Sequence, residues 1–396
     1  MRLLARVTIA ALLTMTPAFA GTASAAAPEP TPAPLIASAN AVPGQYIVTL
    51  EKGVDPAALT KKLGLKARFL YSHAMNGFAV SMTPLQLRIA RVALGVKSVE
   101  EDTKVRAVST VSDQDDGRAL SAPTSLWGLD RIDQKVLPLD DTFTTRGNGA
   151  GVTAYILDTG IDYEHDEFGG RATFGFDAMD DGKQGMDCQG HGTHVAGTVA
   201  GATYGVARKA DLVSVRVLGC DGTGTYSGII AGMDWVAENA KQPAVLNASL
   251  GGPRSASVNA AATALSDAGV LPVVAAGNEA QDACNVSPAS ASRVVVAGAS
   301  NRYDEETSFS NYGTCVSLYA PGQDITSAKL GGGSVALNGT SMASPHVAGV
   351  AVLYLQAHPA ATPAEIAEFL GTGSSKDVLT SVSKGSPNEL LFTNGL

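Results

Sequence analysis

The sequence lacks two features that would place the protein on a membrane or on nucleic acid. After residue 25, no apolar run is long enough to cross a bilayer, so we expect no membrane as a partner. Basic residues are scarce: from residue 120 onward, 15 Lys and Arg stand against 28 Asp and Glu, a net charge of −13. Such an acidic surface argues against nucleic acid as a partner and favours solubility.

Two enzyme signatures are also missing. The string HGTH at 191–194 spaces its histidines by three residues and lacks the Glu of the zincin motif H-E-x-x-H, so we interpret His194 as structural. The string GTSMA around Ser341 is not G-x-S-x-G, and an acid motif precedes it in the chain. This order argues against an α/β-hydrolase.

Three strings that are present suggest nucleophilic catalysis: DTGID at 158–162, HGTH at 191–194 and GTSMASPH at 339–346. Asp158 follows an apolar run and is predicted to end a buried strand, and His191 precedes a small-residue helix. Ser341 is predicted at a helix N-terminus, with Pro345 in the first turn, where proline is tolerated. In this chemistry an imidazole takes the serine proton, a carboxylate orients the imidazole, and N–H donors hold the oxyanion.

All three strings, in the order Asp, His, Ser, resemble the subtilases, and most closely the aqualysin-like secreted members of the proteinase K branch. The string AAGN at 275–278 is a fourth match, which implies that Asn278 contributes to an oxyanion hole. The resemblance implies an α/β fold with a subtilisin-like parallel sheet and helices on both faces. Alternating apolar strands and helices between the motifs indicate the same architecture.

The resemblance also implies which segments flank a bound peptide. We expect broad specificity, with an apolar or aromatic residue before the cut, because the small wall residues leave room for a large side chain. The substrate-binding residues implied are Gly222, Thr223, Gly224, Tyr226, Ser249, Leu250, Gly251, Gly252, Ala275, Ala276 and Gly277.

The chain is predicted to begin with export and inhibitory segments. Residues 1–25 have a basic start, a short apolar middle and small residues at the end, which is typical of a signal peptide cleaved at Ala20 or Ala25. A linker is predicted at 26–42, a processing junction at 108–122 and the peptidase domain at 123–396. Residues 43–107 have the βαββαβ pattern of a small α+β domain, which resembles the inhibitory propeptide of the subtilases.

Cysteine is also scarce, at four residues, all of them beyond the junction. An even set in an exported chain argues for disulfides, and spacing alone leaves three connectivities open. The family resemblance implies the pairs Cys188–Cys220 and Cys284–Cys315.

Calcium is the cofactor expected, in a structural role, and no catalytic cofactor is expected. Asp130, Asp133 and Gln134 match a calcium loop of aqualysin-like relatives. Another site common in the branch is predicted to be weak or empty, because Ser317 replaces its aspartate and offers no charge beside the carbonyls of Ser292 and Val294. A second candidate cluster consists of Asp177, Asp180, Asp181 and Asp187.

These features predict a secreted, monomeric serine endopeptidase that acts on polypeptides and matures by cleaving its own propeptide, which is also its inhibitory partner. Two alternatives belong to other classes: a non-catalytic secreted protein that keeps the fold, and a secreted esterase. The four intact motifs argue against the first. The peptide-pairing segments favour a protease over the second.

Overall fold

The computed structural model of the chain describes residues 31–107 and 126–396. The predicted signal peptide at 1–25 and the processing junction at 108–122 lie outside these residues. Within them, no helix combines the length and the apolar character needed to span a membrane.

The N-terminal domain has the predicted βαββαβ order, preceded by a short extra strand. The linker predicted at 26–42 is too long, because Leu35–Ile36 pairs in parallel with Val99–Glu100, and the next strand begins at Ala41 rather than at residue 43. Its elements are β1 (Leu35–Ile36), β2 (Ala41–Leu50), α1 (Pro56–Lys62), β3 (Ala67–Tyr71), β4 (Gly77–Ser81), α2 (Pro84–Arg91) and β5 (Val96–Ala107).

The peptidase region starts with a short helix and then alternates strands and helices. Its helices are α3 (Trp127–Ile132), α4 (His191–Ala200), α5 (Tyr226–Asn239), α6 (Ala256–Asp267), α7 (Thr340–Ala357) and α8 (Pro363–Gly373), with a 3-10 turn at Ala283–Asn285. Its strands are β6 (Thr153–Asp158), β7 (Ala172–Asp177), β8 (Asp211–Arg216), β9 (Thr223–Thr225), β10 (Ala244–Ala248), β11 (Leu250–Pro253), β12 (Leu271–Ala275), β13 (Val286–Ser287), β14 (Val295–Ser300), β15 (Leu318–Pro321), β16 (Ile325–Ala328), β17 (Ser334–Leu337), β18 (Ser375–Lys376) and β19 (Glu389–Leu390).

A nine-stranded sheet forms the centre of the described peptidase region, in the order β18-β19-β15-β14-β12-β10-β6-β8-β7. All neighbours are parallel except β18 and β19. Along β6, Ala154 and Ile156 pack with α4 and α7 on one face, and Tyr155 and Leu157 pack with α5 and α6 on the other. Burial on both faces explains why residues 154–157 of β6 are all apolar in sequence.

Three neighbouring strands of this sheet, β6, β10 and β12, lead into three of the sequence motifs. Asp158 is the last residue of β6, Ser249 directly follows β10, and Asn278 lies three residues beyond β12. Because carboxyl ends of parallel strands meet at one edge of a sheet, the fold gathers these residues at the edge where open α/β sheets place their ligands.

Candidate active site

Asp158 and His191 form a buried hydrogen-bonded pair. The Oδ1 atom of Asp158 lies 2.8 Å from Nδ1 of His191, with exposures of 0 and 1 % for the two side chains. The Thr159 N–H also donates to Asp158 Oδ1, at 2.7 Å. Close approach of the two motifs requires glycine at position 192, where a Cβ atom would collide with the Gly160 carbonyl.

The surroundings of His191 change its proton affinity. Burial lowers its pKa, but the negative charge and hydrogen bond of Asp158, with the charge of Asp187, outweigh burial, so that the pKa is raised from its ordinary value. The Nε2 atom of His191 is buried and has no hydrogen-bond partner among the described residues. Nε2 is therefore the ring nitrogen available for a proton from a nucleophile.

His194 is bound to backbone carbonyls rather than to a carboxylate. It is fully buried, and its Nε2 lies 2.9 Å from the Ile325 carbonyl and 3.2 Å from the Val335 carbonyl. Burial is the main cause that lowers its pKa to about 3. These contacts fit the structural interpretation made from the sequence.

Ser341 is the second residue of α7, and its hydroxyl donates to the Ser249 carbonyl at 3.1 Å. The predicted place of Pro345 in the first turn is wrong: α7 begins at Thr340, so Pro345 lies inside the helix. Proline has no N–H to donate to the carbonyl four residues earlier, which is that of Ser341. The Ser249 hydroxyl donates to this carbonyl instead, at 2.8 Å, and so replaces the missing helical bond.

Asn278 is held against the start of α7. The N–H and the hydroxyl of Thr340 donate to Asn278 Oδ1 at 2.9 and 2.8 Å. The Gly277 N–H in turn donates to the Thr340 hydroxyl at 3.1 Å. The segment after β12 and the serine helix are therefore fixed to each other one residue before Ser341.

The C-terminal strand of the N-terminal domain lies between two strands of the peptidase region. Strand β5 pairs antiparallel with β9, with Arg106 opposite Thr223, and antiparallel with β11, with Arg106 opposite Gly251. Ala107, the last residue described before the junction, lies opposite Leu250, and its N–H donates to the Gly222 carbonyl at 2.9 Å. The two segments expected to flank substrate therefore both bind this strand.

The remaining residues expected to bind substrate lie around this three-stranded arrangement. Ala275 and Ala276 are buried at the end of β12, and the Tyr226 ring is buried beside Gly252 and Val105. A cavity of about 860 Å³ adjoins the strands and is lined by residues of β5, β9 and β11 together with Gly277.

Two carboxylates of β5 cap helices of the peptidase region, a role that the sequence analysis missed. Glu100 Oε2 accepts from the Ser257 N–H and hydroxyl at 3.1 and 2.7 Å, at the start of α6. Asp102 accepts from the Ser227 N–H and hydroxyl at 3.0 and 2.5 Å, at the start of α5. The signal was present in sequence, because alternation along a strand places residues 100 and 102 on one face.

A peptidase carboxylate binds the N-terminal domain in return. Asp234 on α5 accepts hydrogen bonds from the backbone N–H groups of Ser72, His73 and Ala74 at 2.7–3.1 Å. The Tyr71 hydroxyl, fully buried, donates to the Ser227 carbonyl at 2.9 Å. The contact between the two regions is therefore polar and specific as well as a shared sheet.

The structure has the disulfides Cys188–Cys220 and Cys284–Cys315, which is the pairing implied by the family resemblance. The first lies beside the guanidinium of Arg216, whose Nη2 is 3.5 Å from Cys188 Sγ.

Two carboxylates of the second calcium cluster suggested by the sequence bind an arginine side chain. Arg216 donates to Asp177 at 3.0 Å and to both oxygens of Asp181 at 2.6 and 2.8 Å. The hydrogen bond from Arg216 is the main cause that lowers the pKa of Asp181 to about 2. The guanidinium of Arg216 thus supplies a positive charge to these carboxylates. The carboxylate of Asp187 instead binds Thr193 of the histidine motif.

The first candidate calcium loop is folded around its own backbone. Asp130 accepts from the Asp140 and Asp141 N–H groups at 3.3 and 2.8 Å, and Asp133 accepts from the Thr144 N–H at 2.7 Å. The amide of Gln134 donates to two carbonyls of the same loop. In residues 31–107 and 126–396, no three His, Cys, Asp or Glu side chains are grouped to hold a metal ion. At the other predicted site, the Ser317 hydroxyl accepts from the Val296 N–H at 3.0 Å.

Comparisons with known proteins agree with this geometry. The subtilase family model matches residues 149–391. The chain is 43% identical over 381 residues to an extracellular serine proteinase of Thermus sp. (strain Rt41A), covering 89% of this chain and 90% of that protein. It is 40% identical over 394 residues to a cuticle-degrading protease of Metarhizium anisopliae, covering 97% and 99%.

A solved structure is also similar. The crystal structure of a cold adapted subtilisin-like serine proteinase has 48% sequence identity and a TM-score of 0.67, over 68% of this chain and 98% of that one. The gathered motifs at one sheet edge, the family match and the similarity over nearly whole relatives lead to one conclusion: the chain belongs to the subtilase family and is a subtilisin-like serine proteinase.

Proposed function

We propose that Asp158, His191 and Ser341 form the catalytic triad of a secreted endopeptidase. The observation that carries the proposal is the fully buried hydrogen bond between Asp158 and His191 Nδ1. It fixes the tautomer that leaves Nε2 as a base. Before attack, the Ser341 hydroxyl breaks its hydrogen bond to the Ser249 carbonyl and donates to His191 Nε2 instead. The imidazole then takes the proton as Oγ bonds to the substrate carbonyl, and later returns it to the leaving amine.

Asn278 is proposed as an oxyanion donor. Its Oδ1 accepts two hydrogen bonds from Thr340, and these bonds fix the plane of the side-chain amide. The Nδ2 donor of that amide is thereby held in one orientation. A fixed donor stabilises developing charge without reorganising during the reaction.

Substrate is proposed to bind as an extended strand in the place that β5 occupies. The pairing of β5 with β9 and β11 supports this, since backbone hydrogen bonds recognise a main chain and tolerate many sequences. The small residues Ala275, Ala276 and Gly277 leave space for a large side chain. We therefore propose an apolar or aromatic residue before the cleaved bond.

The N-terminal domain is proposed to act as an inhibitory and folding propeptide. Strand β5 fills the substrate position, and Glu100 and Asp102 satisfy N–H groups at the starts of two helices. Parallel sheets depend on contacts between distant residues and therefore fold slowly. A domain that holds two helices in place reduces the conformational entropy that the peptidase region must lose during folding. The Ala107 N–H donates to the Gly222 carbonyl in the proposed substrate position, which supports self-cleavage in the junction that follows in sequence.

Secretion and calcium complete the proposal. The predicted signal peptide and the extracellular relative in Thermus support secretion. The protein is proposed to be a monomer whose partners are polypeptide substrates and its own propeptide. The carboxylates of Asp130 and Asp133, with the amide of Gln134, have the oxygen chemistry that calcium prefers, and we propose them as ligands of a structural ion. No part of the reaction is assigned to a cofactor.

The test is the full chain with Ser341→Ala, expressed in a host without other extracellular proteases. We expect loss of peptide hydrolysis and secretion of an unprocessed chain, while Ser334→Ala, an exposed serine of β17, stays processed and active. Full processing of Ser341→Ala would contradict self-maturation. Activity of the wild type on esters but not on peptides would favour the esterase alternative.

A further inference from the structure

Asp187 binds three segments around His191: the aspartate motif, the turn before helix α4 and the first turn of that helix. It is not a member of the proposed triad. The residue is 6 % exposed and lies directly before Cys188, four residues before His191. Its Oδ1 accepts from the Thr159 hydroxyl at 3.0 Å and from the Gln189 and Gly190 N–H groups at 2.9 Å each. Its Oδ2 accepts from the N–H and hydroxyl of Thr193 at 2.9 and 2.6 Å.

The backbone N–H groups at the start of helix α4 need hydrogen-bond acceptors, and Asp187 is one of those acceptors. The residue preceding the helix is Gly190, which has no side chain to cap it, and its φ of 109° suits glycine. Three N–H groups of the first turn therefore need outside acceptors. They donate to side chains from elsewhere: His191 to Gln189 Oε1, Gly192 to the Thr159 hydroxyl and Thr193 to Asp187.

The same contacts connect the helix with the aspartate motif. Thr159, whose N–H donates to Asp158, donates its hydroxyl to Asp187 and accepts from Gly192. The Thr193 hydroxyl, bound to Asp187, accepts from the Asp162 N–H at 3.0 Å. One carboxylate thus fixes the backbone on both sides of the bond between Asp158 and His191.

We infer that Asp187 is a positioning residue for catalysis, which holds the His191 imidazole in register with Asp158 and favours its protonated form in the transition state. The inference rests on the proposed triad. Asp187 touches neither substrate nor the reacting atoms, so it acts through His191.

The charge of Asp187 gives this role a signature that a purely structural residue lacks. The ionisable groups whose charge acts on His191 are Asp158, Asp187 and His194, and His194 stays neutral because its pKa is about 3. Asp187 is among the causes that raise the pKa of His191. Catalysis requires neutral His191 before attack, so removing this charge lowers the pH at which activity begins.

The experiment compares Asp187→Asn with the wild type as full chains that have matured, with rates normalised to titrated active sites. We expect kcat for a peptide substrate to fall about tenfold, KM to stay within about twofold, and the acidic limb of the kcat/KM profile to move to lower pH. Asp187→Glu keeps the charge and should restore the acidic limb. Asp180→Asn, an exposed acid of the same loop, is the matched control and should behave as the wild type.

A lower melting temperature of Asp187→Asn, with kcat and the pH profile of the wild type, would overturn the inference and leave Asp187 a structural residue. If Asp187→Asn is not secreted, Thr193→Val and Thr193→Ser decide the matter. Thr193→Val removes the hydroxyl that binds Asp187 and the Asp162 N–H, Thr193→Ser keeps that hydroxyl, and neither variant changes the charge. Thr193→Val should lower kcat with Thr193→Ser restoring it, and wild-type kcat in Thr193→Val would overturn the inference. A wild type and Asp180→Asn that both lack peptidase activity would instead refute the proposed function.

Discussion

The two carboxylates that cap helices from β5 allow a quantitative test of propeptide inhibition. Glu100 is 4 % and Asp102 is 1 % exposed, and each accepts from one N–H and one hydroxyl of the peptidase region. Alanine at either position leaves a backbone N–H buried in the complex without its acceptor. Such a loss costs about 1–3 kcal/mol, and a charge at a helix N-terminus contributes about 0.3–1 kcal/mol.

We therefore expect each alanine variant of residues 32–107, added in trans, to inhibit the mature enzyme about 30-fold more weakly, which corresponds to about 2 kcal/mol. Burial raises the pKa of Asp102, which means that dehydration of its charge offsets part of the gain. Asp102→Ala should accordingly cost less than Glu100→Ala. Glu100→Gln keeps one acceptor oxygen and should be intermediate.

The assay is the inhibition constant for hydrolysis of a chromogenic peptide at fixed salt and pH. Glu51→Ala, which removes an exposed acid of the same domain, controls for the change of net charge. Circular dichroism of each variant alone checks that the domain stays folded. Inhibition by Glu100→Ala and Asp102→Ala within twofold of the wild type would refute the argument, because the capping bonds would then contribute nothing to docking.

Three further outcomes are expected. Asn278→Ala should fold and be secreted but lose roughly 10²–10³ in kcat, and undiminished turnover would exclude it from the oxyanion hole. Replacing Cys188 and Cys220 together by serine should lower the free energy of unfolding by about 3–4 kcal/mol for a separation of 32 residues, measured by denaturant titration with the other disulfide intact. Chelator should lower the melting temperature of the wild type, and a smaller effect in the double variant Asp130→Ala with Asp133→Ala would locate calcium there, whereas an equal effect would place it elsewhere.

The positions of the motifs and of the central parallel strands could be predicted because their causes are local. Residues 154–157 of β6 form an apolar run that ends at Asp158, and β12 is apolar throughout. The place of Pro345 inside α7 could not be predicted in the same way. Proline is typical of a first turn, and only the distant Ser249 hydroxyl makes it acceptable farther inside the helix.

The supporting residues of the site depend on contacts between distant parts of the chain. In the sequence, Asp187 is one of four nearby acids that suggest a calcium site. Nothing local indicates that Arg216 pairs with Asp181 or that the Thr159 hydroxyl donates to Asp187. The start of the N-terminal domain was placed late for the same reason. The pairing of Leu35–Ile36 with β5 joins segments more than 60 residues apart, and a Pro-rich composition gives no sign of it.

The sheet shared by β9, β5 and β11 has a consequence for which proteins the mature enzyme can digest. When the N-terminal domain leaves, as proposed above, the groove becomes a gap one strand wide between two strand edges. Only a chain that gives up its own hydrogen bonds can then fill it. Helices and paired strands of a folded protein cannot enter without opening. The rate of cleavage of a native protein should therefore follow the free energy of local opening of its weakest segment more closely than its amino-acid sequence. The cleavage rate of a native protein would then report the local rigidity of that protein.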